Sequence, residues 1–239
     1  MYCHNKEYPY NLSEELFNTI VYMTPSIAIE PVSERLLHAA VEVFAKYGFR
    51  DATVRETCSL ANVNVASVNY YFRSKESLYK QVLAFSFQEA NRLYPQDAFL
   101  EKNIPCTQRL RLFIRNFLHK LMDDSHLGLH SKLITREIAD PRPALDTILK
   151  FEIAPQMNLL EEIIQPIIGI TTNKLANQRC LLGIYGQCLM FKHARSIIDR
   201  LYPELIADDS AIEACTEHIA QFSIAALRQI DQQQEKSTS

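Results

Sequence analysis

The residues best equipped for chemistry fall in one short run. Val65, Ala66, Ser67, Asn69, Tyr70 and Tyr71 form a set without charge, in which Ser67, Asn69, Tyr70 and Tyr71 carry hydroxyl and amide groups. Groups of this kind hydrogen-bond to phosphate oxygens and to base edges. Elsewhere the candidates thin out. His126 and His130 are four apart, close to Asp123 and Asp124, a spacing that can bind zinc. No further ligand is defined and Gly128 weakens the helix, so no metal or other cofactor is assigned. The chain has no Gly-rich phosphate loop, no G-x-S-x-G and no H-E-x-x-H. It is not read as an enzyme.

The elements around that run explain how it would be held. Ser33 is placed to cap a first helix whose apolar face is Leu36, Leu37, Ala40, Val43, Phe44 and Tyr47, and Gly48 ends it. Thr53 and Glu56 have the spacing of a capping box for a second helix, Val54 to Ala61. Asn62 is suited to a left-handed turn. Asn64 can cap a third helix, Val65 to Phe72, and Ser74 a fourth. Helices this short are marginal alone, since isolated ones need about 12–15 residues to persist. Packed together through Cys58, Ala61, Val63, Val68 and Phe72, they form a helix-turn-helix whose exposed helix enters the DNA major groove.

This segment resembles the DNA-binding domain of TetR-type transcriptional regulators. The likeness lies in Ala39-Ala40, Phe44, Tyr47-Gly48-Phe49, Thr53-Val54-Arg55-Glu56 and Asn69-Tyr70-Tyr71-Phe72-Arg73-Ser74-Lys75-Glu76. It implies DNA contacts from Tyr70 and Tyr71, a phosphate contact from Lys75, and phosphate or groove contacts from Thr53 and Arg55. The chain departs from the pattern at Thr57-Cys58, at Asn62 and at Asn69. Asn69 stands where many members carry a phosphate-binding Tyr.

Composition fits an all-α protein: 47% of the residues are hydrophobic and only 5 of 239 are Gly. Residues 31–92 hold eight basic and six acidic side chains, so a net of +2 faces −5 in the rest. The expected organisation is an N-terminal extension (1–30), the helix-turn-helix domain (31–80), a helical ligand-binding and dimerisation domain (81–232) and a polar tail (233–239). The fourth helix, Lys75 to about Leu93, is apolar on more than one side and suits a transmission element. The six cysteines are scattered, as buried reduced thiols would be, with redox sensing at Cys180 or Cys188 as the alternative. No apolar run reaches the ~20 residues of a membrane span, and a cytoplasmic location is expected.

The C-terminal domain carries a clean stripe of Leu110, Phe113, Ile114, Phe117, Leu118 and Leu121. A further helix from Ala144 is expected to kink at Pro155 and break at Pro166. Ser131 to Glu137, with Pro141 and Ile153-Ala154-Pro155, resembles the C-terminal domain of the CecR-like subgroup, which implies an effector domain. Phe113, Phe117 and Leu121 offer more apolar surface than a dimer seam alone needs, so they and Arg136 are the candidate effector pocket. Arg136 and Glu137 can instead pair with other charges to orient helices.

Two long helices close the chain, Asn173 to Leu201 and one capped by Ser210 with Glu213. They look like the pair that, in TetR-type proteins, forms a four-helix dimer interface, here with Leu182, Gly183, Tyr185, Gly186, Leu189, Ile219, Phe222 and Ala226. The expected function is a sequence-specific regulator of transcription, a homodimer released from an inverted-repeat operator by an unidentified small molecule. The alternative is a constitutive dimeric DNA-binding protein with no effector.

Overall fold

The computed structural model describes residues 31–96, 101, 103–123, 129, 132–134, 137, 144–169 and 173–238. The N-terminal extension, His126, His130 and Arg136 therefore lie outside the described residues. The residues from Val32 onward form one compact unit. Among the described residues every regular element is helical.

The head starts with α1, Val32–Asp51, which bends at Gly48 (φ 75°). That angle is in the left-handed region, so glycine is needed there. Leu36, Ala39, Ala40, Val43, Phe44 and Ala45 are buried. Tyr47 departs from the expected face. It is 39% exposed on the last turn before the bend, under the Lys46 ammonium. The short helices α2 (Val54–Leu60) and α3 (Ala66–Tyr71) follow, then the longer α4 (Lys75–Leu93).

The body comprises α5 (Cys106–Met122), α6 (Leu145–Ile148), a π-helical turn at Leu149–Ile153, α7 (Ala154–Ile168), α8 (Lys174–His193), α9 (Arg195–Leu201) and α10 (Asp209–Thr238). Pro155 produces the π turn rather than a plain kink. Having no N–H, it cannot continue the α ladder, and the chain widens so that the Ala154 N–H reaches the Leu149 carbonyl. Pro166 does not break the helix, which runs on to Ile168 and stops at Gly169 (φ 82°). Burial of Ile163, Ile164, Ile167 and Ile168 outweighs one lost hydrogen bond.

Two further expectations need correcting. The helix from Asn173 does not reach Leu201 unbroken; it is interrupted at Ala194 (φ −97°, ψ 15°) between α8 and α9. The last helix is capped by Asp208, whose Oδ1 accepts the Ala211 N–H at 2.9 Å, instead of by Ser210. Glu213 is then available to reach α5, where Arg115 and His119 bind it.

Burial sorts into two clusters. One gathers α5, α7, α8 and α10 around Leu110, Ile114, Leu160 and Ile163. The other holds the head, from Leu36 to Phe87, and it also takes in Leu133, Ala144 and Ile148. The head core therefore draws on residues well beyond position 80. Tyr79 packs against the rings of both Phe44 and Phe49 and donates its hydroxyl to Glu137 Oε2 at 3.0 Å. The far end of α4 is tied to α5. Tyr94 donates to Asp123 at 3.0 Å, and burial with that contact pushes its hydroxyl up to about 12.

Candidate nucleic-acid interface

The presentation of α3 is set by local bonds that the sequence encodes. The Thr53 hydroxyl accepts the Glu56 N–H at 3.1 Å, and Glu56 Oε2 takes the Thr53 N–H at 3.0 Å. Both halves of the capping box are thus formed and fix the start of α2. Asn62 adopts φ 53°, which turns the chain between α2 and α3. Asn64 Oδ1 accepts the Ala66 N–H at 2.9 Å, and Ser74 Oγ accepts the Ser77 N–H at 3.1 Å. Val68 and Phe72 fix the inner side of α3 against Cys58 and Ala61.

The outer side is then free of the core. Val65, Ala66, Asn69, Tyr70 and Tyr71 are exposed and Ser67 is half-buried, with Tyr70 at 80%. The rings of Tyr70 and Tyr71 meet edge to face at 4.9 Å, which orders two phenols on one surface. Thr53 and Arg55 are exposed at the neighbouring end of α2. Lys75 is held more tightly than the sequence suggests. Its Nζ donates to the Arg50 carbonyl at 3.0 Å and lies 4.9 Å from the centre of the Phe49 ring. It therefore ties α4 to the end of α1. Replacing Thr53 with Ala should cost about 1 kcal/mol of stability, the usual worth of an N-cap, measured by denaturant titration. It should also loosen operator binding, because α2 sets the pose of α3.

The body divides its candidate residues differently from expectation. Leu182, Gly183, Gly186, Phe222 and Ala226 are exposed, Leu182 at 66% and Phe222 at 60%. Leu189 is half-buried, whereas Tyr185 and Ile219 are core. α8 scatters polar residues (Asn177, Arg179, Gln187) among its apolar ones around the whole circumference, so its inward face could not be told from its outward one by spacing. Phe113 and Phe117 are buried within the body core and Leu121 packs against it, so these three fill space that a ligand would need. Phe117 stacks on Tyr185 at 4.5 Å. A groove of about 610 Å³, lined by Met190, Phe191, Leu205, Cys215, His218 and Ile219 among others, lies elsewhere on the body.

The body also holds a polar network that sequence reasoning missed. Lys120 donates to Glu152 Oε1 at 2.5 Å, and Gln156 donates to the same oxygen at 2.6 Å. The Tyr185 hydroxyl donates to Gln156 at 3.1 Å. All four side chains are buried. Glu152 Oε2 is buried and has no partner among the described residues, which costs roughly 1–3 kcal/mol or more for a charged group. Burial, with Glu152 nearby, pushes the Tyr185 hydroxyl well above the ordinary tyrosine range. Burial likewise raises the thiols of Cys58, Cys180 and Cys215, and takes Cys188 to about 12. Thiols held this way are poor nucleophiles, which argues against redox sensing at Cys180 or Cys188.

Comparison with known proteins matches both halves of this arrangement. Residues 36–82 fit the family described as bacterial regulatory proteins, tetR family. Residues 106–227, half of the chain, fit the C-terminal domain of the HTH-type transcriptional dual regulator CecR. The chain belongs to the TetR-type regulators with a CecR-type C-terminal domain. The dual regulator CecR of Shigella flexneri is 29% identical over 178 residues, 71% of this chain and 79% of that protein. The regulator RutR of Escherichia coli K12 is 36% identical over 58 residues, which are 24% of this chain and 27% of RutR.

Solved structures of TetR-type proteins share the fold. A regulator from Mesorhizobium loti superposes with a TM-score of 0.61 at 15% identity, over 82% of this chain and 96% of that one. FadR from Bacillus subtilis, solved with stearoyl-CoA, gives 0.60 at 19%, over 80% and 96%. As a TetR-type protein the chain is a DNA-binding regulator of transcription rather than an enzyme. No helix among the described residues is long and apolar enough to cross a membrane.

Proposed function

We propose that this regulator binds an inverted-repeat operator as a homodimer, represses from it, and is released when a small molecule occupies the body. The observation that carries the reading is the exposed, uncharged face of α3, held by the Thr53 and Ser74 caps of its neighbours, the Asn64–Ala66 bond and the Asn62 turn. Ser67, Asn69, Tyr70 and Tyr71 read base edges and phosphates there. Thr53 and Arg55 hold the backbone beside them, and Asn64, Val65 and Ala66 form the leading turn of the reading helix. Lys75 has three donors, one of which the Arg50 carbonyl takes.

Dimerisation is supported by the bare side of α8 and α10. Gly183 and Gly186 each cost about 1 kcal/mol in a helix relative to Ala. Among the described residues, nothing beyond the helix's own backbone comes within 4 Å of where their Cβ atoms would stand. The close approach that would justify two glycines must come from a second copy. Leu182 and Met190 on the same helix and Phe222 on α10 are exposed apolar side chains that such a copy would cover. Two reading helices about 34–36 Å apart would then meet successive major grooves.

Selection from a pool of randomised DNA tests the reading. An inverted repeat with half-sites about one helical turn apart should be enriched, and light scattering should give two chains per duplex or a multiple. Enrichment of no sequence, or of a single half-site bound by one chain, would overturn it.

A further inference from the structure

The polar network in the body is the best-formed group that DNA recognition does not use. Glu152 is 5% exposed. Its Oε1 is shared by Lys120 and Gln156, while its Oε2 has no hydrogen-bond partner among the described residues. A pair kept only for structure would gain by saturating both oxygens, since a half-satisfied buried network is worse than an apolar one. The backbone is also irregular at this point, where Pro155 imposes a π turn. Glu152 sits in the π turn Leu149–Ile153, and turns of this kind recur at functional sites.

The surroundings define what would bind. Lys120 already balances the Glu152 charge, so a cation approaching Oε2 would meet that ammonium. Tyr185 spends its proton on Gln156 and keeps oxygen lone pairs, so the site is rich in acceptors. The Tyr185 ring stacks on Phe117, and Cys188 lies in the same buried cluster. We infer that Glu152 Oε2 anchors the effector, accepting a hydrogen bond from a neutral N–H or O–H on a small, flat, largely apolar molecule. This deepens the proposed function and rests on its effector-release step.

The position also links the site to the head. Ile148 belongs to the head's buried cluster and Ile153 packs against it, one on each side of Glu152. A ligand that draws Glu152 toward itself moves a segment whose ends lie against the head. That gives the ligand different affinities for two states of the head, without which no release occurs.

The test uses the full chain, its selected operator, and small probes in matched pairs. Indole and phenol carry a neutral donor, 1-methylindole and anisole lack it, and benzamidine carries a cationic one. Each is titrated by thermal midpoint and by operator affinity against the wild type, K120M/E152L and Tyr185→Phe. Indole or phenol should raise the wild-type midpoint and weaken operator binding about 5- to 150-fold. The methylated partners should bind at least about tenfold more weakly, the usual worth of a bond to a charged acceptor. K120M/E152L should still bind operator, with probe affinity down about ten- to a hundredfold. Tyr185→Phe should fall between.

The assignment is overturned if methylation makes no difference, if benzamidine binds best, or if K120M/E152L responds as the wild type does. It is overturned too if no probe binds, in which case Oε2 holds a buried water only. Should K120M/E152L fail to fold, the matched pairs on the wild type and on Tyr185→Phe decide. If the wild type selects no operator at all, the regulator reading fails instead, whatever the probes do.

Discussion

L182E/F222E is expected to yield a monomer that no longer holds an operator under conditions where the wild type is saturated. Both side chains are exposed, Leu182 next to the open Gly183 and Phe222 on α10, so the chain itself loses almost nothing when they change. Four carboxylates would face one another across the proposed seam, where like charges cost several kcal/mol. Coupling of two reading heads is worth about 10²- to 10⁴-fold in affinity, and the monomer forfeits it. Size-exclusion chromatography with light scattering gives the assembly, and a binding isotherm gives the loss. A double variant that remains dimeric with unchanged affinity would place the seam elsewhere. Heat stability of the isolated chain serves as the control, since a merely unfolded variant would lose both readouts for the wrong reason.

The second large effect separates two roles within the head. Tyr70→Ala should weaken the best operator about 5- to 150-fold while leaving random DNA little changed, because it removes base readout. Lys75→Ala should weaken all sequences alike and lower the salt slope by about one for each phosphate that is no longer neutralised. The structure adds a control to this pair. Lys75 also ties α4 to Arg50 and covers Phe49, so its removal should lower the thermal midpoint as well. Glu76→Gln, which breaks only the exposed pair with Lys80, should change stability by less than about 1 kcal/mol. If Lys75→Ala lowers the midpoint but leaves the salt slope untouched, the lysine serves the fold and meets no phosphate.

The head was legible because its signals are local. Thr53 with Glu56, Asn64 with Ala66, and Ser74 with Ser77 all act within three residues, and each bond forms as spacing predicts. The body was less so. Lys120 and Glu152 meet across 32 positions, and nothing near either residue announces the other. The choice of Asp208 over Ser210 as a cap turned on Glu213, which is drawn across to α5. Partial burial pushes the Glu213 carboxyl up, but Arg115 and His119 outweigh this and hold it below the usual carboxylate range. Pro166 was a local signal overruled by the four isoleucines around it. Tyr185 and Leu182, three apart on a helix with no clear apolar stripe, went to opposite sides because packing partners, not periodicity, decided.

Leu133, Ala144 and Ile148 give the head a core that it does not encode by itself. Anyone grafting this reading head onto another sensor, or another head onto this sensor, inherits a mismatch. A cut after Leu93 would leave Tyr79 without Glu137 and would strip the apolar lid from Leu78, Val82 and Leu83. Natural shuffling meets the same barrier. Exchange between relatives should succeed where residues 129–153 travel with the head, and fail where the crossover falls between them.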